Sequence, residues 1–136
     1  MPYRCIEHTA DVGIEVWGDT LEEVFVSSAQ GMFAILVDVK RVKSEKREFV
    51  SVEGTDLEEL LVRWLEELLF KWEVGGMAYK EFEVNLNTSE CTIESWVVGG
   101  KYTDEMVRKE IKAVTYHNLD IKKEDGLWRC RIIFDV

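Results

Sequence analysis

The chain is predicted to be an α+β protein of two layers, with two helices packed on a mostly antiparallel sheet of about six to eight strands. Three observations carry this. Two segments, each opened by a helix-start signal, repeat apolar residues at spacings of three and four. Most of the remaining chain alternates apolar and polar residues with a period of two. The order reads ββαβα followed by about five strands, so the helices are not interleaved one by one with strands.

Each element has its own justification. Tyr3 to His8 reads as a short strand and Val12 to Gly18 as a second, with Ile14 and Val16 on one face. Thr20-Leu21-Glu22-Glu23 is a capping box, in which the Thr20 hydroxyl accepts from a backbone N–H and Glu23 reaches back. Behind it Leu21, Val24, Phe25, Met32 and Leu36 keep one helix face. Lys40 to Arg47 is basic and reads as an exposed turn, and Glu48 to Glu53 as a strand. Thr55-Asp56-Leu57-Glu58 is a second capping box. It opens the strongest helical pattern in the chain: Leu57, Leu60, Leu61, Trp64, Leu65, Leu68, Leu69 and Trp72, ended by Gly75-Gly76.

The second half is strand-rich. Phe82, Val84 and Leu86 alternate, Asn87 to Glu90 forms a hairpin turn, and Cys91, Ile93, Ser95 and Val97 alternate in turn, with Gly99-Gly100 as the close. Residues 103 to 109 suggest a helical turn. Strands follow at Ile111 to Tyr116, Asp120 to Lys123 and Leu127 to Phe134, with Asp125-Gly126 as the turn between the last two. In the final strand Trp128, Cys130, Ile132 and Phe134 share one face.

Composition limits the function. Length predicts a single domain over residues 1–136. Against 17 Lys and Arg stand 27 Asp and Glu, a net charge of −10. Such a surface repels phosphate backbones, so direct nucleic-acid binding is not expected. It suits a basic partner or a site that holds cations. The N-terminus lacks the apolar stretch of a signal peptide, and no apolar run approaches the ~20 residues that span a bilayer. Cys5, Cys91 and Cys130 form no C-x-x-C pair and read as small buried hydrophobes. A reducing cytoplasm is the expected setting.

Three segments carry candidate chemistry. In Glu7-His8-Thr9-Ala10-Asp11-Val12-Gly13, Asp11 could cap its own backbone and Gly13 supply a positive φ. The same loop could instead be an oxygen-rich site for a hard divalent cation. At the other end, Asp135 lies by alternation on the face of Arg129, Arg131 and Ile133, one residue from Val136 and its carboxylate. It could pair with Arg131 or Arg129, or sheet topology could bring it beside Asp11, where two carboxylates repel unless a proton or metal lies between them. The third segment, Lys112 to Asn118, places Lys112 and His117 on or beside a strand. No phosphate loop, G-x-S-x-G or H-x-x-x-H is present, so no complete catalytic constellation emerges. The acids of the second helix read as a solvated face.

Together, Glu7-His8-Thr9-Ala10-Asp11-Val12-Gly13, Glu110-Ile111-Lys112-Ala113-Val114-Thr115-Tyr116-His117-Asn118-Leu119 and the terminal Ile133-Phe134-Asp135-Val136 resemble the archease family. The resemblance covers nearly the whole chain, including the helix entry Gly18 to Glu23; only Gly99 to Lys109 is shorter than is common in the family. It implies a protein cofactor rather than an enzyme, one that activates an RtcB-class tRNA-splicing RNA ligase by promoting guanylation of the ligase's active-site histidine and multiple turnover. It also implies a divalent-metal site of Asp11, Asp135 and Val136, with calcium as the expected ion and magnesium or manganese as alternatives. His8, Lys112 and His117 become candidate supporting or docking groups. Two other readings use the same residues differently: a metal-dependent hydrolase of small phosphorylated substrates, and an acidic chaperone-like adaptor.

Overall fold

The computed structural model describes residues 2–7 and 11–136, with Glu7 described in its main chain only. Eight strands and two α-helices are present among them: β1 (Tyr3–Glu7), β2 (Asp11–Gly18), α1 (Leu21–Leu36), β3 (Lys46–Glu53), α2 (Leu57–Glu73), β4 (Met77–Asn87), β5 (Thr92–Lys101), β6 (Ala113–Thr115), β7 (Lys122–Glu124) and β8 (Leu127–Asp135). Short 3-10 turns cover Val39–Arg41 and Asp104–Met106. The fold is α+β and every strand pairing is antiparallel. The strands divide into two sheets, a division that the alternation pattern does not encode. One has the order β1-β2-β8-β6 with β7 also on β8, and the other the order β3-β5-β4.

Both helices start as the side-chain chemistry dictates. The Thr20 hydroxyl accepts from Glu23 N–H at 3.2 Å, and the Glu23 carboxylate accepts from Asp19 N–H at 2.6 Å. At α2 the cap sits one residue later than the sequence suggests. Asp56 is the N-cap, its Oδ1 accepting from Glu59 N–H at 2.7 Å, and Glu59 Oε1 accepts from Thr55 N–H at 2.9 Å. A carboxylate next to the helix's positive end is a stronger acceptor than a hydroxyl, so Asp56 displaces Thr55. Glu58 is thereby released to accept from the distant Ile121 N–H at 3.0 Å.

The apolar faces meet in a shared core. Ile14, Phe25, Met32, Phe33, Leu36, Leu60, Trp64, Leu65, Leu68 and Phe134 are fully buried. Trp64 joins the helices, its Nε1–H donating to Phe25 O at 3.1 Å. Phe33 packs edge-on against Trp72 and Tyr79, with ring centroids 6.4 and 5.9 Å away. The buried Tyr79 hydroxyl donates to Glu48, and Lys71 lies 3.9 Å from that carboxylate, which ties α2 to the smaller sheet. Of the cysteines only Cys130 is buried; Cys5 is exposed and Cys91 half-buried. The expectation of three buried thiols fails because Cys5 lies on an outermost strand and Cys91 sits in the β4–β5 turn at φ 55°.

The other differences are local. Gly99 and Gly100 do not end β5 but lie within it. A Cβ on Gly99 would come within 1.9 Å of Ala78 O, so this glycine lets β4 cross at its irregularity between Tyr79 and Glu81. Residues 111–116 yield only the three-residue β6, because β7 shares the same edge of β8. Asp125 and Gly126 form the expected tight turn, at φ 52° and 80°.

Gly99→Ala, which drives a side chain into backbone, is expected to lower stability by more than ~2 kcal/mol. Asp56→Ala removes one cap and is expected to cost about 1 kcal/mol. Urea unfolding of both variants beside wild type measures the two costs.

Candidate functional site

The β2–β8 ladder determines where the candidate groups meet. Its register pairs Asp11 with Asp135, Gly13 with Ile133, Glu15 with Arg131 and Trp17 with Arg129. Val12, Ile14 and Val16 are buried against the helices, so alternation turns Asp11, Gly13, Glu15 and Trp17 to the opposite face, together with their partners on β8. The two aspartates, 124 positions apart in sequence, are therefore direct cross-strand neighbours on one sheet face.

Asp11 belongs to the ladder and does not form a local turn. Gly13 is likewise extended and has no positive φ. Its lack of a side chain serves another purpose, since a Cβ there would lie 2.8 Å from Ile133 Cδ1. Ile133 folds over that gap and is buried on the face that also carries Asp11, Glu15, Arg129 and Arg131.

Asp135 is exposed and Asp11 half-buried. Asp11 Oδ1 is buried and has no hydrogen-bond partner among the described residues. An orphaned carboxylate oxygen facing a second carboxylate is costly unless a cation or proton joins them. Hard oxygen donors of this kind suit calcium, magnesium or manganese. Ala113 of β6 pairs with Asp135 from the other side, and Lys112 N–H donates to Asp135 O at 2.7 Å, which pins the end of β8. Val136 packs against the core just beyond, so its main-chain oxygens lie at the same end of the sheet. Among the described residues no third His, Cys, Asp or Glu joins the pair in a metal-sized cluster.

The predicted supporting residues fare differently. Lys112 is beside the pair, with its side chain exposed. His117 is not: it follows the far end of β6 in an exposed turn, where its N–H donates to Thr115 Oγ1 at 3.3 Å. His8 lies outside the described residues. Asp135 makes no ion pair with Arg131 or Arg129; Arg131 instead donates to Glu15 at 2.8 Å, and Arg4 holds the other Glu15 oxygen at 2.5 Å. The hydrogen bonds from Arg131 and Arg4 hold the Glu15 carboxyl below its usual value. Sequence reasoning missed this Arg4–Glu15–Arg131 row. Alternation could place Arg131 on the outer face, but only the register puts Arg4 and Glu15 beside it.

Cys130 offers no nucleophile, since burial pushes its thiol up to about 12. Among the described residues no helix is long and apolar enough to cross a membrane.

The family model described as Archease protein family (MTH1598/TM1083) matches residues 3–136. The chain belongs to the archease family. It is 39% identical to the protein archease of Methanopyrus kandleri over 143 residues, covering all of both chains. It is 38% identical to that of Pyrococcus abyssi over 135 residues, covering 96% of this chain and 95% of that one. The solution structure of Methanobacterium thermoautotrophicum protein 1598 superposes with a TM-score of 0.87 at 32% identity, covering 99% of each chain. The crystal structure of an archease, possible chaperone, from Thermotoga maritima shares the fold, with a TM-score of 0.63 at 20% identity over 96% of this chain and 94% of that one.

The Glu15 carboxyl yields a pH test. Its folded-state pKa lies below the ordinary 4.5, so the stability it contributes is complete above pH 4.5 and lost as pH falls through the folded value. The stability difference between wild type and Glu15→Gln is expected to be constant from pH 7 to 5 and to close in more acid solution, as read by urea unfolding at each pH.

Proposed function

We propose that this archease-family chain is a protein cofactor of an RtcB-class RNA ligase and that it acts through a divalent cation, calcium first, held by Asp11, Asp135 and a main-chain oxygen of Val136. The observation that carries the reading is the buried Oδ1 of Asp11, opposite Asp135 and without a hydrogen-bond partner among the described residues. A bound cation would neutralise the charge that gathers on phosphate during nucleotidyl transfer. The chain's own residues supply the rest. Asp11 and Asp135 present negative oxygens at one sheet end, Lys112 N–H fixes the strand that carries Asp135, and Val136 anchors that strand in the core. The net charge of −10 supports a helper that is drawn to a basic, RNA-handling partner and competes poorly for the RNA itself.

The adaptor reading has one observation in its favour. Phe49 and Trp96 are large aromatics left 49% and 38% exposed on the smaller sheet, a surface suited to holding another protein. The two readings separate on the aspartates, which an adaptor of this kind would not need.

In multiple-turnover RNA ligation with the cognate ligase, wild-type protein is expected to raise turnover. Asp11→Ala and Asp135→Ala are expected to abolish the gain while circular dichroism stays native. No gain from wild type, or full gain from both variants, refutes the proposal. Binding also has a direct readout, because a ligand held only by the folded state raises stability by about 2.7 kcal/mol at one hundred times its dissociation constant. Calcium is expected to raise the melting temperature of wild type and to leave that of Asp11→Asn unmoved.

A further inference from the structure

The face that carries the aspartate pair also carries a groove of about 840 Å³, further along β2 and β8 toward β7. Its lining opposes the charge of the whole molecule. Arg4, Lys122, Arg129 and Arg131 line it against two acids, Glu15 and Asp120, so the groove is net positive in a chain of net charge −10. The side chains of Arg4, Lys122 and Arg131 are 69%, 57% and 49% exposed; Arg4 and Arg131 share Glu15, and Lys122 lies 3.9 Å from Asp120 and 3.1 Å from Glu124, while the Arg129 side chain is exposed with no ion pair or hydrogen bond among the described residues. Beside Arg129 in the ladder stands Trp17, half-buried and also lining the groove, and Leu127 adds apolar surface.

We propose that this groove is a binding site for a nucleoside monophosphate, with the phosphate on the Arg129–Arg131 side and the base laid against Trp17. Its volume falls in the range of small-molecule sites. Arginine forks match phosphate oxygens two at a time, and an indole face stacks on any base. Arg131 is four residues from Asp135 along β8, roughly 13 Å at the usual strand rise. The groove is therefore separate from the aspartate pair, and the inference does not depend on a metal being held there. It also refines what net charge excludes: a surface that repels a long phosphate backbone can still admit one phosphate locally.

The test is titration calorimetry of the chain with AMP, GMP, CMP and UMP in turn, with inorganic phosphate, the free nucleosides and a short single-stranded RNA as comparisons. Mononucleotides are expected to bind with little preference among bases, and more tightly than phosphate or nucleoside. Arg129→Ala, at an exposed position that folding tolerates, is expected to weaken binding at least tenfold. Trp17→Leu is expected to weaken mononucleotides at least fivefold and leave inorganic phosphate unchanged, while Trp17→Phe, which keeps a ring, stays within about twofold of wild type. Four results overturn the proposal: no mononucleotide binding at millimolar concentration, phosphate binding as tightly as mononucleotide, affinity unchanged in Arg129→Ala, or the RNA retained where no mononucleotide is.

Discussion

The antiparallel pairing of β2 with β8 is the constraint on which the rest depends. It joins residues 11–18 to residues 128–135, so nearly the whole chain must be looped out before it forms. Closing a loop of that length is opposed by chain entropy, although the cost rises only slowly with length. The opposing gain is the burial of Val12, Ile14, Val16, Cys130, Ile132 and Phe134 on one face of the ladder against the helices. Because that face is buried, the register cannot slip by one residue without turning the apolar set to solvent. The same register therefore decides every juxtaposition on the outer face.

That outer face is organised in rows. Asp11 faces Asp135, Gly13 yields space to Ile133, Glu15 lies between Arg4 and Arg131, and Trp17 stands beside Arg129. An acidic pair with no ion-pair partner among the described residues occupies one end and a basic groove lies further along. The isoleucine and the Arg4–Glu15–Arg131 row intervene between the aspartates and Arg129. Electrostatic opposites thus coexist on one small sheet without neutralising each other. Folding alone does not require this arrangement, since like charges directly opposite on adjacent strands are destabilising. The outer face is where the structure departs from what stability would select, which is the usual signature of a surface kept for binding.

The second half of the architecture supports this face from behind. Trp64 links α2 to α1, Phe33 gathers Trp72 and Tyr79, and the Glu48–Tyr79–Lys71 contacts tie the smaller sheet to α2. Glu58, released from capping, reaches the backbone at Ile121 and holds the segment that leads into β7. The groove wall near β7 is therefore braced by the helix whose acids otherwise read as a solvated face.

Much of the fold was legible because its signals are local. The capping residues, the three-and-four spacing of Leu57 to Trp72, the period-two strands and the Asp125-Gly126 turn each act within a few residues, so the sequence alone determined the elements and the α+β class. The motifs also sufficed to name Asp11, Asp135 and Val136 as candidates and to suggest the family. What local signals could not decide was which strands pair. The split into two sheets, the shortening of β6 by competition with β7, the exposure of Cys5 and the remoteness of His117 from the aspartates are all results of long-range pairing. Whether Asp11 caps a turn or meets Asp135 was open for the same reason. An isolated carboxylate has no preference for a partner 124 residues away; only the burial of the opposite face, acting through the register, brings the two together.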